Sequence, residues 1–212
     1  MSDTELNTTD RNEVEEFLSI ARREISAFAE RIDYNQLSSA KLLIREAERA
    51  GCRVHVTGIG KPAHVAGYVA SLFSSTGTPA YELHGTEAVH GSSGQVRPGD
   101  IVIAISNSGE TAELKATVST LIANGAHIIS VTGNPSSWLA RVGEVELIAS
   151  VSQEGDYMNK PPRVSVLAEI IELQCLSILL QRAYGLTPQS YVTWHPGGSL
   201  GQSIRSTEDS LT

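Results

Sequence analysis

The chain of 212 residues predicts an α/β fold, a doubly wound five-stranded parallel sheet with an N-terminal helical arm. Two observations carry this. Short runs rich in β-branched residues recur at Arg53 to Gly60, Thr78 to His84, Ile101 to Ser106, His127 to Thr132 and Val145 to Val151. Most are separated by segments with apolar residues at helical spacing, and several end in turns built from Gly, Ser and Asn.

Length and composition bound the rest. One core is expected over residues 13–202, with polar, disordered tails at 1–12 and 203–212. Hydrophobic content of 41% with 19% charged residues is that of a soluble globular protein. A net charge of -8, with no run of Lys and Arg, excludes a nucleic-acid surface, so an anionic ligand needs a focused local site. The two cysteines, Cys52 and Cys175, lack CxxC spacing and read as reduced core thiols. The first residues hold no apolar leader, and no segment reads as a membrane span, so a cytoplasmic protein is expected.

From Glu13 to Arg31 the positions Val14, Phe17, Leu18, Ala21, Ile25 and Phe28 follow i, i+3, i+4 spacing, an amphipathic helix. A second helix, Gln36 to Arg49, aligns Leu37, Ala40, Leu43, Ile44 and Ala47, and Gly51 closes it. Two helices before the first strand exceed what a small sheet covers, which predicts an arm packed on another subunit. The first strand enters a glycine turn, Gly58 to Gly60, followed by Lys61 and a helix from Pro62 to Ser75. This GxGK turn lacks the spacing of a P-loop and the third glycine of a dinucleotide fingerprint. After the second strand, Gly85 to Asp100 is a loop whose one helical turn carries Glu87 and His90. A short helix is expected over Ser136 to Val142, and a long one over Val164 to Tyr184. That last helix is apolar over more than half its circumference and is assigned in part to a subunit interface.

The stretch Ile101 to Thr111, IVIAISNSGET, is the most informative. A buried strand delivers Ser106, Asn107, Ser108 and Gly109 to the first turn of the helix Ala112 to Ala123. Free N–H groups and the positive end of the helix dipole then converge on one point, beside the hydroxyls of Ser106, Ser108 and Thr111. That suits a phosphate, although the same residues also serve as plain helix caps. In a doubly wound sheet, ligands bind where the carboxyl ends of strands meet, which would gather Gly60, Lys61, Glu87, Ser106 to Thr111 and Glu154.

GxGK at Gly58 to Lys61, GTEAVHG at Gly85 to Gly91, AISNSGET at Ala104 to Thr111, TGNP at Thr132 to Pro135 and HPGGSLG at His195 to Gly201 together resemble the sugar isomerase (SIS) domain family. They are most similar to its arabinose 5-phosphate isomerase branch, without the CBS domains that longer members carry. The resemblance implies phosphate on Ser106, Ser108 and Thr111, a catalytic set of Lys61, Glu110, Glu154 and His195, and a site histidine at His90. It also implies a homotetramer with the site at a subunit boundary. Pro62 and the run Pro162-Arg163-Val164-Ser165-Val166 depart from the family pattern, which places small hydroxyl residues there. Arg163 is therefore expected to contact either the substrate or an acidic residue of a neighbouring subunit.

Aldose–ketose isomerisation moves a proton between adjacent carbons through an enediol and requires no metal or organic cofactor. Glu154 is expected to shuttle the proton and Lys61 to stabilise negative charge. His195 would assist ring opening or polarise the carbonyl, and Glu110 would orient Lys61 or act as a second acid/base; which glutamate takes the proton stays open. The alternative is a non-catalytic sugar-phosphate sensor, which needs the phosphate turn and no acid/base set.

Overall fold

Asn7 opens the first helix. Its Oδ1 accepts the Asp10 N–H at 2.9 Å, and α1 runs Thr8–Ala29. Residues 8–12, expected in the tail, are thus helical: the cap and the exposed Arg11–Glu15 pair at 2.8 Å sustain a turn that buries nothing. The computed structural model describes residues 7–195, so the expected tail at 203–212 and most of the HPGGSLG stretch lie outside the described residues. Helix α2, Tyr34–Arg49, starts at Asp33, whose Oδ1 accepts the N–H groups of Asn35 and Gln36 at 2.8 and 3.2 Å.

Five strands follow, β1 Val54–Gly58, β2 Ala80–Glu82, β3 Ile101–Ile105, β4 His127–Thr132 and β5 Val145–Ile148. All pair in parallel, in the order β2-β1-β3-β4-β5. The helices between and after them are α3 Lys61–Ser75, α4 Ala112–Ala123, α5 Trp138–Val142, α6 Val164–Tyr184 and α7 Pro188–Trp194. Two 3-10 turns, Glu87–His90 and Ser92–Gln95, occupy the crossover from β2 to β3.

Strand alternation divides the interior into two layers. Ile101, Ile103 and Ile105 join Ile129, Val131 and Leu147 under α2, α3 and α6, whereas Val102, Ala104 and Ile128 face α4 and α5. In α3, Val65, Val69 and Phe73 are buried on the first layer, each contributing about 1.5–3 kcal/mol. Gly58 pairs with Ile105, so the turns leaving β1 and β3 are neighbours. The chain leaves β1 for one edge of the sheet and β3 for the other, which makes this pair the topological switch point.

Three expectations change. Only the first leading helix is left as an arm: α2 buries Leu37, Ala40, Ile44 and Ala47 in the first core layer, whereas α1 adds Phe28 and leaves Val14 and Leu18 exposed. The sheet alone would not cover them, but α6 supplies the missing surface by packing against α1, α2 and α3. Second, α6 is long and apolar enough to cross a membrane by length and composition, contrary to the expectation of no such segment. Half of its most apolar window is buried inside the fold, and it holds the buried carboxyls Glu169 and Glu172. Third, the tail after α6 contains a further helix, α7, opened by Pro188 and by reciprocal bonds between Thr187 and Ser190.

Candidate active site

The turn after β3 is locked from both sides. Ser106 Oγ receives the Gly109 N–H at 3.1 Å and lies 3.2 Å from Thr111 Oγ1, and Ser108 Oγ receives the Glu110 N–H at 3.2 Å. On the β4 side, the Gly133 N–H and the Thr132 hydroxyl both donate to the Asn107 carbonyl, at 2.9 and 3.2 Å. The Leu139 N–H donates to the Gly109 carbonyl at 3.1 Å. Gly109 sits at φ 65°, and a Cβ there would run into Ser137 Oγ. Thr111, the residue that caps α4, makes no side-chain capping bond, so the first-turn amides of α4 are left to a ligand or solvent. Ser106 is buried, Thr111 half-buried and Ser108 exposed, a graded set of hydroxyls around those amides.

Next to this turn, across the β1–β3 pair, Gly60 takes φ 67° and ψ -129°, a conformation open to glycine, and starts α3. It puts Lys61 at the first helical position, exposed to solvent. Lys61 and His64, one turn further along α3, line a cleft of about 290 Å³ together with Tyr68, Pro162, Arg163, Val166 and Ile170.

Glu154 reaches the same place from the far edge of the sheet. It is 9% exposed, and its Oε2 accepts the N–H groups of Arg163 at 2.7 Å and Ser165 at 3.1 Å. The carboxylate therefore caps α6 where the helix dipole is positive. Its own N–H donates to Asn159 Oδ1 at 2.6 Å, with Asn159 at φ 48°. Through Arg163, Glu154 borders the cleft that holds Lys61.

Sequence reasoning missed the residues that hold this loop. Glu24, 6% exposed on α1, receives the Ser152 N–H at 2.7 Å and its hydroxyl at 2.8–2.9 Å. Burial works against its charge, yet the Ser152 bonds, with help from the Gln153 N–H and Arg23, hold the carboxyl below its usual range. Arg31 donates to the Ser150 carbonyl at 3.2 Å, and Phe17 closes over Gly155. A signal existed: Glu24 stands between Ala21 and Phe28 on the apolar stripe of α1, where a charge demands a buried partner.

Three expected site residues have partners of their own within the chain. Glu110 turns away from Lys61: Oε1 accepts the N–H of Trp138 at the start of α5 at 2.7 Å, and Oε2 pairs with Lys115 of α4. The Lys115 bond, then the Trp138 N–H, holds its carboxyl below the usual range. The Arg163 guanidinium pairs with Asp156 of its own chain. His195 stacks on Tyr191 with ring centroids 3.9 Å apart, and its Nδ1 lies 2.8 Å from the Tyr191 carbonyl. Its neighbour Trp194 lines a pocket with Arg53, Gly77 and Pro79, which precede β1 and β2, at the amino end of the sheet. Helix α6 carries the chain there, since 21 residues rise roughly 30 Å. Within one chain His195 is thus remote from Ser106 and Lys61. Glu87 and His90 are exposed on the 3-10 turn after β2. That turn is drawn toward β1 by Gly85, where a Cβ would meet the Gly58 carbonyl at 2.6 Å.

The family described as the SIS domain matches residues 48–171. Similar curated proteins include the arabinose 5-phosphate isomerases KdsD of Pseudomonas aeruginosa and Escherichia coli K12, 41% and 39% identical over 152 residues. Those matches take in 72% of this chain and 47% and 46% of the relatives, so the chain spans about half the length of the curated relatives it matches. Among solved structures, a candidate sugar-phosphate isomerase from Listeria monocytogenes superposes with a TM-score of 0.84 at 26% identity, over 91% of this chain and 100% of that one. A protein of E. coli CFT073 in complex with arabinose 5-phosphate superposes with a TM-score of 0.75 at 32% identity, over 92% and 100%. With the match covering more than half of its 212 residues, the chain belongs to the SIS domain family.

Proposed function

We propose that this protein is a phosphosugar aldose–ketose isomerase acting on arabinose 5-phosphate or a closely related sugar phosphate. The observation that carries the reading is the adjacency, at the β1–β3 switch point, of the uncapped amide and hydroxyl turn at Ser106–Thr111 and the cleft lined by Lys61 and by Arg163, whose N–H the Glu154 carboxylate accepts. The turn takes the phosphate through Ser106, Asn107, Ser108 and Thr111, with the Gly60 turn closing the approach. Glu154 moves the proton between the two carbons, and Lys61 stabilises the enediolate oxygen. The similarity to the KdsD isomerases and to the protein solved with arabinose 5-phosphate supports this substrate class.

His195 enters the scheme through a neighbouring copy, because its own chain holds it at the other end of the sheet. His90 and Glu87, exposed at the rim, are further groups available to the substrate or to that copy. A homotetramer with the site at a subunit boundary fits the solvent-facing apolar side chains Ile178 (65% exposed), Tyr68 and Leu167 on α6 and α3. The same reading puts the protein in the cytoplasm, where free thiols such as Cys52 and Cys175 stay reduced.

Incubation with a panel of aldose and ketose phosphates, and with the same sugars lacking phosphate, tests the proposal. Conversion of at least one pentose phosphate is expected, with the unphosphorylated sugar at least about a hundredfold poorer in kcat/KM, on the order of the binding energy a remote phosphate supplies. Tight binding of sugar phosphates without conversion of any would favour a sensor instead.

A further inference from the structure

Behind Glu154 lies a set of polar atoms that the isomerisation leaves unused. Glu169 on α6 is 1% exposed, and neither of its carboxyl oxygens has a hydrogen-bond partner among the described residues. The Ser165 hydroxyl is buried and unpartnered as well, although the Ser165 N–H holds Glu154 Oε2. Residues four apart on a helix lie on one face, so Glu169 is stacked on Ser165 and thereby set behind Glu154.

An ionised carboxylate at that position would be stripped of water and set near a second carboxylate. Burial first, and the Glu154 charge second, push Glu169 up to about 8. The elements packed on α6 present Glu24 from α1, Asp33 from the start of α2, and Lys61 and His64 from α3, while Arg163 precedes α6 itself. None of the basic groups reaches Glu169: Lys61 and His64 face the cleft, and Arg163 pairs with Asp156. Asp33 acts on Glu172, one turn further along α6, which burial and then that charge push up to about 7.

We propose that Glu169 is a positioning residue for Glu154: held as a neutral acid it leaves Glu154 seated on the amino end of α6, and on ionising it drives Glu154 off that seat. Of the two carboxylates Glu154 is the one free to move, because it rides on a loop while Glu169 is fixed in a helix. The catalytic consequence rests on the isomerase reading; the titration does not.

The test compares wild type with Glu169→Gln, whose amide has the same size and stays neutral at every pH. In wild type kcat/KM is expected to fall about tenfold per pH unit above about pH 8, as for loss of one required proton, whereas the Gln variant holds its rate to about pH 9.5. Superimposable alkaline limbs overturn the proposal. A readout independent of turnover is the 13C resonance of the Glu154 carboxyl, expected to move near pH 8 in wild type and not in the variant; absence of that movement in wild type also overturns it. Wild type alone suffices if the variant does not fold, since a Glu169 carboxyl already ionised at about pH 6.5 contradicts the proposal. An unreactive protein whose Glu154 resonance still moves near pH 8 would count against the isomerase reading and support the positioning role.

Thermal unfolding adds a sign. Glu169 ionises near 4.5 when unfolded and near 8 when folded, so wild-type stability relative to the Gln variant is highest below pH 4.5 and is lost as pH rises to 8. Glu172 acts in the same direction up to about pH 7 in both proteins and cancels in the comparison. A stability difference that does not change across that window overturns the proposal.

Discussion

Glu154→Gln is expected to lower kcat by about 10³-fold while leaving KM within a few-fold of wild type. The reason is a division of labour on one carboxyl group. Oε2 caps α6 through the Arg163 and Ser165 amides, and a glutamine carbonyl oxygen still accepts those bonds. What the amide cannot do is take up a proton from carbon. The fold should survive with a loss of about 1 kcal/mol, the difference between a charge-assisted and a neutral pair of hydrogen bonds. Steady-state kinetics on the converted sugar phosphate, with thermal denaturation as the control, read both effects. Near-normal turnover would remove Glu154 from the reaction and leave it as a helix cap alone.

Gly109→Ala is expected to raise KM at least about tenfold and to destabilise the protein by about 2–4 kcal/mol. Two costs add. The residue must hold φ 65°, which is unfavourable for alanine, and its new Cβ meets Ser137 Oγ. That oxygen is not a free end, because it accepts the Ala140 N–H at 3.2 Å and caps α5. Relieving the clash therefore uncaps α5 or moves the amides proposed to take the phosphate. Gly91→Ala is the matched control: it also lies at positive φ, 117°, but a Cβ there meets nothing within 4 Å. It should cost only backbone strain, about 1 kcal/mol, and leave KM unchanged. Equal effects at the two positions would deny the Ser106–Thr111 turn any special part in binding.

Local chemistry decided what could be read from sequence. The strand Ile101–Ile105 and the turn after it were legible because a run buried on both faces has no polar position and its turn is built from neighbouring residues. Helix α6 was legible to both ends, bracketed by Pro161-Pro162 and by Gly185 at φ 75°. The second and fifth strands came out shorter than expected because both are sheet edges, paired on one side only. Helix α7 was hidden because Ser190 stands in its capping box where glutamate or glutamine usually marks one.

Site residues were legible as types and less so as a constellation. Nothing in the order of residues says that Glu110 turns to Lys115 and Trp138, or that Glu24 meets Ser152 from 128 positions away. The place of His195 was within reach of reasoning. A helix that follows the last parallel strand returns to the amino end of the sheet, so whatever comes after α6 must lie opposite the phosphate turn. Motif order brought His195 into the expected catalytic set, and topology places it at the opposite end of its own chain's sheet.

The central claim is that the Ser106–Thr111 turn and Glu154 together move a proton on a phosphorylated sugar. Incubating the protein with an aldose pentose phosphate in deuterated water and following the carbon next to the carbonyl by NMR tests it most directly. The account predicts deuterium incorporation at that carbon by wild type, none above background by Glu154→Gln, and none by wild type on the unphosphorylated sugar. Saturable binding of the sugar phosphate by wild type with no incorporation at that carbon would contradict it.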